Sequence, residues 1–136
     1  MNRSDLQKIS KIRLKEAREL LHTGNYNGAY YLCGYAIECA LKSCIAKKTN
    51  KYDFPDKKLA NKSFTHELRT LMDIAGLSVQ FENEKSTNVN FSAKWLVVKD
   101  WNEDSRYEFH DKNKAENMYN AIASRNGILK WIKQHW

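Results

Sequence analysis

Proline occurs once in this chain of 136 residues, at Pro55. With a 12% aromatic share, that scarcity favours a compact globular chain over a disordered one. No apolar run reaches membrane-spanning length, because Glu38 and Lys42 interrupt the longest. The first residues, MNRSDLQK, are polar and lack the apolar core of a secretion signal. Both absences make the cytoplasm the expected location and a membrane role unexpected. Cysteine is sparse and odd in number. Cys33, Cys39 and Cys44 stand at spacings of six and five, which suit neither a disulfide framework nor a CxxC site. They read as small buried hydrophobes, with zinc binding alongside His22 or His66 the remote alternative. Glycine-rich phosphate loops, GxSxG, HExxH and paired zinc-ligand clusters are missing, so no metal or cofactor is expected. Strand-like alternation and hairpin turns are missing as well. The length suits one domain spanning residues 1–136.

What is present is dominated by Asn25 to Lys48, NYNGAYYLCGYAIECALKSCIAKK. Its first twenty-two residues contain a single carboxylate, Glu38, and nearly every position from Ala29 to Ala46 is apolar, aromatic or small. Such a helix must be covered on several sides. An ionised carboxylate inside it is costly unless paired. Lys42 stands one turn on, in the favourable acid-first order. Either these two satisfy each other, or Glu38 orients a cation elsewhere in a site. Gly28 and Gly34 each cost about 1 kcal/mol in a helix relative to alanine, which points to close approach by another element.

The remaining pattern is helical too. Ser4-Asp5-Leu6-Gln7 fits a capping box, and apolar residues from Leu6 to Leu21 recur at helical spacing up to Thr23-Gly24. Thr49 to Phe64 reads as a lysine-rich connection. Thr65 is the expected cap of a short helix from His66 to Ala75, closed by Gly76. Gln80 to Asn90 reads as a loop or frayed turn. Phe91, Trp95 and Val98 are spaced for a helix, with a strand through Trp95 to Val98 as the competing reading. Asn113 to Glu116 fits a second capping box opening a helix that runs near the C-terminus. The expected fold class is all-α, an antiparallel up-and-down bundle of four to five helices.

Net charge is +7, unevenly spread. Lys42 to Arg69 is strongly basic, whereas Asp100 to Asp111 packs Asp100, Glu103, Asp104, Glu108 and Asp111 around Arg106. A basic lobe suits nucleic-acid phosphates, although lysine-rich loops also serve as plain solubilising surface. Of the four histidines, His66 at a first helical turn and His110 are the strongest site candidates. Arg106 beside Tyr107 offers a fork for phosphate or carboxylate and a stacking ring, or a staple between helix ends. If Arg106 meets Glu38, the long helix and this loop share one buried polar cluster.

ARELLHTGNYNGAYYLCGYAIECALK, the Thr65-His66-Glu67-Leu68 helix start and Asp100-Trp101-Asn102-Glu103-Asp104-Ser105-Arg106-Tyr107 together resemble HEPN domains (higher-eukaryote and prokaryote nucleotide-binding). The resemblance runs from about Leu14 to Trp131. It implies a four-to-five-helix bundle, commonly a homodimer, often encoded beside a minimal nucleotidyltransferase in a toxin–antitoxin-like pair. Many such domains are metal-independent endoribonucleases, with an Arg, then four to six residues of which the first is often polar, and then His. Here Arg125-Asn126 begins that motif, but Lys130, Trp131 and Ile132 stand where the His belongs. Arg106 to His110 has three residues between, one too few.

The expected function is therefore a module that binds nucleotide, RNA or a nucleotidyltransferase and lacks the intact ribonuclease motif. Its expected ligand-binding residues are Glu38, Lys42, His66, Arg106 and Tyr107. Arg106 and Lys42 would contact phosphate, Tyr107 would stack and Glu38 would orient the cations. The alternatives are an endoribonuclease using Arg106 and His110 as catalytic residues at a dimer cleft, and a structural helical adaptor.

Overall fold

The computed structural model describes residues 1–49 and 57–136, so positions 50–56 of the lysine-rich connection, with Pro55, lie outside the described residues. The described residues are helical throughout, with no strand: α1 (Arg3–His22), α2 (Tyr26–Lys47), α3 (Lys57–Lys62), α4 (Leu68–Ile74), α5 (Ser78–Thr87), α6 (Val89–Val98), a 3-10 turn (Glu103–Tyr107), α7 (Lys112–Ala123) and α8 (Ile128–Lys133). This is the expected all-α bundle. None of these helices is long and apolar enough to cross a membrane.

Helix α2 is central because its apolar residues run right round it; thirteen of its 22 residues are buried. The tight turn at Gly24, with φ at +78°, folds α1 back along it. The pair is antiparallel: the Ser10 hydroxyl near the start of α1 donates to the Ala36 carbonyl at 2.7 Å, while Leu20 near its end lies against Gly28. Buried Met118 and Ile122 of α7, Ile128 and Ile132 of α8, and Leu68 and Leu71 of α4 complete the core around α2. The same core continues through aromatic contacts that join Phe81 of α5 to Trp95 of α6 edge-on, with centroids 4.8 Å apart, and Phe91 to Trp131 at 5.4 Å. The three cysteines are free and buried. Burial pushes the Cys33 thiol up to about 12 and those of Cys39 and Cys44 to about 11, so all three are protonated packing groups at neutral pH.

Several boundaries differ from expectation, each for a local reason. The cap of α1 is Asn2, which accepts from the Asp5 amide while the Asp5 carboxylate accepts from the Asn2 amide, so the box frame lies two residues before Ser4. Thr65 does not cap α4. Its hydroxyl accepts from the Glu67 amide at 3.2 Å and the helix begins at Leu68, leaving His66 ahead of it rather than in its first turn. Gly76 does close α4, with φ at +75° and the Leu77 amide donating to the Met72 carbonyl. The expected loop at Gln80 to Asn90 is largely helix α5; with Phe81 as its one buried residue it has no apolar stripe to read. The Phe91–Trp95–Val98 face is helical and buried, as its spacing requires, and the strand reading is excluded. Asp111, not Asn113, caps α7. The last helix is broken at Ser124, whose backbone is extended (ψ 163°), and restarts at Ile128.

Gly34 is the contact that positions the rest. A Cβ there would fall 2.3 Å from three atoms of the Trp101 indole. The indole nitrogen donates to the Tyr31 carbonyl at 3.0 Å, and the indole stacks on the Tyr31 ring with centroids 5.7 Å apart. Gly34→Ala is expected to lower unfolding free energy in urea by roughly 1–3 kcal/mol, the usual cost of overpacking. A loss within a few tenths would show that Trp101 moves aside freely.

Candidate functional site

Glu38 is 2% exposed on α2 and is held by two nitrogen-bearing side chains, His66 and Lys42. The Nδ1 of His66 bonds directly to its Oε1, and Lys42 Nζ lies 3.7 Å from the same oxygen. Lys42 comes from the next turn of α2, as its spacing dictates. His66 comes from the segment before α4, which Leu68, Leu71 and Met72 pin to the core. Glu38 therefore pairs with Lys42 and also bonds a second group from elsewhere in the chain. That group is His66 and not Arg106.

The other face of the imidazole looks onto the 3-10 turn. His66 Nε2 lies 3.3 Å from Glu103 Oε2, which makes a chain from a buried carboxylate through an imidazole to a half-exposed carboxylate. Ionised carboxylates only accept, so serving both at once needs a proton on each ring nitrogen; a neutral ring serves one of them. Around this chain is an open cleft of about 470 Å³ lined by His66, Glu67, Lys99, Asp100, Glu103 and Asp104. Its walls are rich in acceptors, which suit hydroxyl and amino groups better than a bare phosphate. The sequence had shown Glu103 only as one acid in an acidic run. That Trp101-Asn102-Glu103 and Thr65-His66 meet depends on the Trp101–Gly34 contact, which no spacing rule gives.

The turn itself is well specified. Asn102 caps it by accepting from the Asp104 amide at 2.8 Å, and the buried Ser105 hydroxyl accepts from the Asn102 amide. Arg106 and Tyr107 then point outward, with the guanidinium carbon 4.8 Å from the Tyr107 ring centre. Tyr107 is 74% exposed and Phe109 94%, so a cation and two aromatic faces stand together in solvent.

His110 turns the opposite way. Its ring is buried and stacks on Tyr30 with centroids 4.0 Å apart. Nε2 donates to the Ser105 carbonyl at 2.8 Å, which fixes the tautomer, and Nδ1 has no hydrogen-bond partner. The backbone amide of His110 donates to Asn27 Oδ1 at 2.5 Å. Burial, with Asp100 and Glu108 adding to it, pushes the Tyr30 hydroxyl up to about 12, so the ring beneath His110 stays neutral. Arg106 and His110, close in sequence, therefore lie on opposite sides of the turn. Among the described residues no group of three His, Cys, Asp or Glu side chains is placed to hold a metal ion.

A family model for the HEPN domain matches residues 4–135, close to the whole chain. No curated protein and no solved structure gives a match.

The unequal contacts of Glu38 generate a ranking. His66→Ala leaves a buried acceptor without its direct partner and is expected to cost about 1–3 kcal/mol, discounted toward the lower end because the ring is partly exposed. Lys42→Ala, at the longer distance, is expected to cost less than about 1 kcal/mol. Urea denaturation of both variants checks this, and a larger loss for Lys42→Ala would make lysine the real counter-ion.

Proposed function

This chain belongs to the HEPN domain family, and we propose that it is the binding module of a two-component, toxin–antitoxin-like pair, taking a nucleotide or RNA end in the cleft beside His66. The observation that carries the reading is the commitment of Glu38, 2% exposed, to holding an imidazole at the edge of a polar cleft. A purely structural ion pair has no need to leave its histidine 39% exposed beside an acceptor-lined opening. In the proposed mode the exposed Arg106 takes phosphate and Tyr107 offers a stacking face, while the acidic wall takes ribose hydroxyls and base amino groups. Lys42 and Glu38 keep His66 in register. A homodimer and a minimal nucleotidyltransferase partner, both implied by the family, belong to the same proposal. The adaptor alternative has no use for this opening.

Calorimetric titration with purine nucleotides and a short single-stranded RNA tests it. Wild type is expected to bind, with at least tenfold loss in Arg106→Ala and His66→Ala, and a several-fold loss in Tyr107→Ala from the missing stacking. Binding that survives all three substitutions, or no binding to nucleotide, RNA or a nucleotidyltransferase encoded beside it, would remove the reading.

A second reading, metal-independent RNA cleavage, draws on one observation. With Glu38 fixing a proton on Nδ1, His66 Nε2 can exchange protons with a ligand once Glu103 moves off, the arrangement a general acid–base histidine requires. His110, buried and bonded to a backbone carbonyl, has less to offer that chemistry than the sequence suggested. In an RNA-cleavage assay containing EDTA, any activity is expected to vanish in His66→Ala and in Arg106→Ala and to persist in a folded His110→Gln variant. Cleavage lost in His110→Gln and kept in His66→Ala would return the chemistry to the Arg106–His110 pair.

A further inference from the structure

Helix α1 carries Lys8, Lys11, Lys15 and Arg18, spaced three, four and three apart, and all four are exposed. That spacing puts them in one row along about 15 Å of helix. None forms an ion pair with a carboxylate among the described residues. Two of the three acids on α1 are engaged elsewhere: Glu16 pairs with Arg13 at 2.5 Å and Asp5 belongs to the N-terminal cap. Glu19 alone flanks the row.

The row does not stand by itself. Beside it α1 and the α7–α8 corner enclose a groove of about 390 Å³, with Leu14, Ile122 and Leu129 among its lining and Arg125, Lys130 and Lys133 around it. These three cations are also exposed and without a carboxylate partner among the described residues. The two sets converge on Trp136, where Lys11 Nζ and Lys133 Nζ lie 5.6 and 5.5 Å from the ring centre. Burial, and then the charge of Lys11, hold the Lys133 amine below its ordinary range. Seven cations so gathered repel one another, and an anion lying along them relieves that cost.

We propose that this face, the α1 row together with the α7–α8 corner, binds the phosphate backbone of single-stranded nucleic acid. A repeating line of unpaired cations matches a repeating line of phosphates. Nothing along the row reads base edges, so binding there is sequence-tolerant. A membrane surface fits less well, because the apolar side of α1, with Ala17 buried and Leu14, Leu20 and Leu21 packed on the core, is turned into the bundle and cannot insert. This face is separate from the His66 cleft and extends the nucleotide or RNA reading to a second surface, and the test distinguishes the two.

The experiment is fluorescence anisotropy of a labelled 15-nucleotide oligo-U against the full chain, at salt from 50 to 200 mM. The variant combines Lys8→Gln, Lys11→Gln, Lys15→Gln and Arg18→Gln, since glutamine retains helix propensity. Wild type is expected to bind with steep salt dependence. The variant should bind at least tenfold more weakly at 50 mM, with the slope of log K against log salt reduced by about 3, the value for four lost phosphate contacts on a single strand. Its circular dichroism should match wild type. If the fourfold variant loses helicity, Lys11→Gln with Lys15→Gln is used, and about half the slope change is expected. Equal binding by wild type and variant, salt-insensitive binding, no oligo-U binding, or binding only to vesicles containing phosphatidylglycerol would each overturn the proposal. Arg106→Ala is measured in parallel. RNA binding lost there and kept in the α1 variant would spare the cleft and reject this face, whereas nucleotide binding kept in the α1 variant while RNA is lost would support both.

Discussion

The indole of Trp101 lying on the Cα of Gly34 is the contact on which the polar half of this molecule depends. Helix α2 is covered by side chains along most of its length, but at Gly34 it is approached directly by a ring, and any Cβ would collide with it. The indole also bonds to the α2 backbone at Tyr31, so its position and rotation are both fixed. Everything that follows Trp101 inherits that placement. Glu103 reaches His66, Ser105 is buried, Arg106 and Tyr107 face solvent, and His110 folds back onto Tyr30. The glycine weakens the helix intrinsically, and the buried indole returns far more through apolar area than the roughly 1 kcal/mol that is lost.

Glu38 imposes the second constraint, since a carboxylate at the centre of the most buried helix demands cationic company. Lys42 would have been sufficient for partial neutralisation, yet its amine is 3.7 Å away and has other freedom. The direct contact is made by His66, from a different part of the chain, 28 residues on in sequence. The outcome is a histidine whose inner nitrogen is fixed and whose outer nitrogen meets a movable, half-exposed carboxylate. Such an arrangement is more specific than neutralisation requires.

How much of this was legible in the sequence follows from the range of the interactions. The long helix was plain from its composition, the α6 face from the spacing of Phe91, Trp95 and Val98, and the close of α4 from Gly76, all local signals. Helix α5 was hidden because Phe81 alone anchors it, and the corner at Ser124 to Gly127 because Leu129 and Ile132 carry an apparent stripe across the break. Glu38, His66 and Arg106 each stood out by residue type. The pairing did not: the sequence offered Arg106 as a partner for Glu38, and the structure turns Arg106 away and brings in His66. Partners tens of residues apart are decided by which loop packs against the helix at that point, and no local signal carries that. His110 drew attention for its nearness to Arg106, but four residues across a tight turn suffice to send two side chains in opposite directions.

Charge segregation adds a last consideration. Asp100, Glu103 and Asp104 collect around the His66 cleft, while lysines and arginines without a carboxylate partner among the described residues collect on α1 and the α7–α8 corner. A cleft lined by Glu67, Asp100, Glu103 and Asp104, with Lys99 beside them, repels a polyanion approaching unaided. A nucleic acid using that cleft would therefore need its backbone held by cations elsewhere, so that only a terminal or looped-out nucleotide meets the acidic wall. The proposed positive face would supply such an anchor within one small domain. On this view the two surfaces divide the work, the basic face providing salt-dependent retention and the cleft providing discrimination.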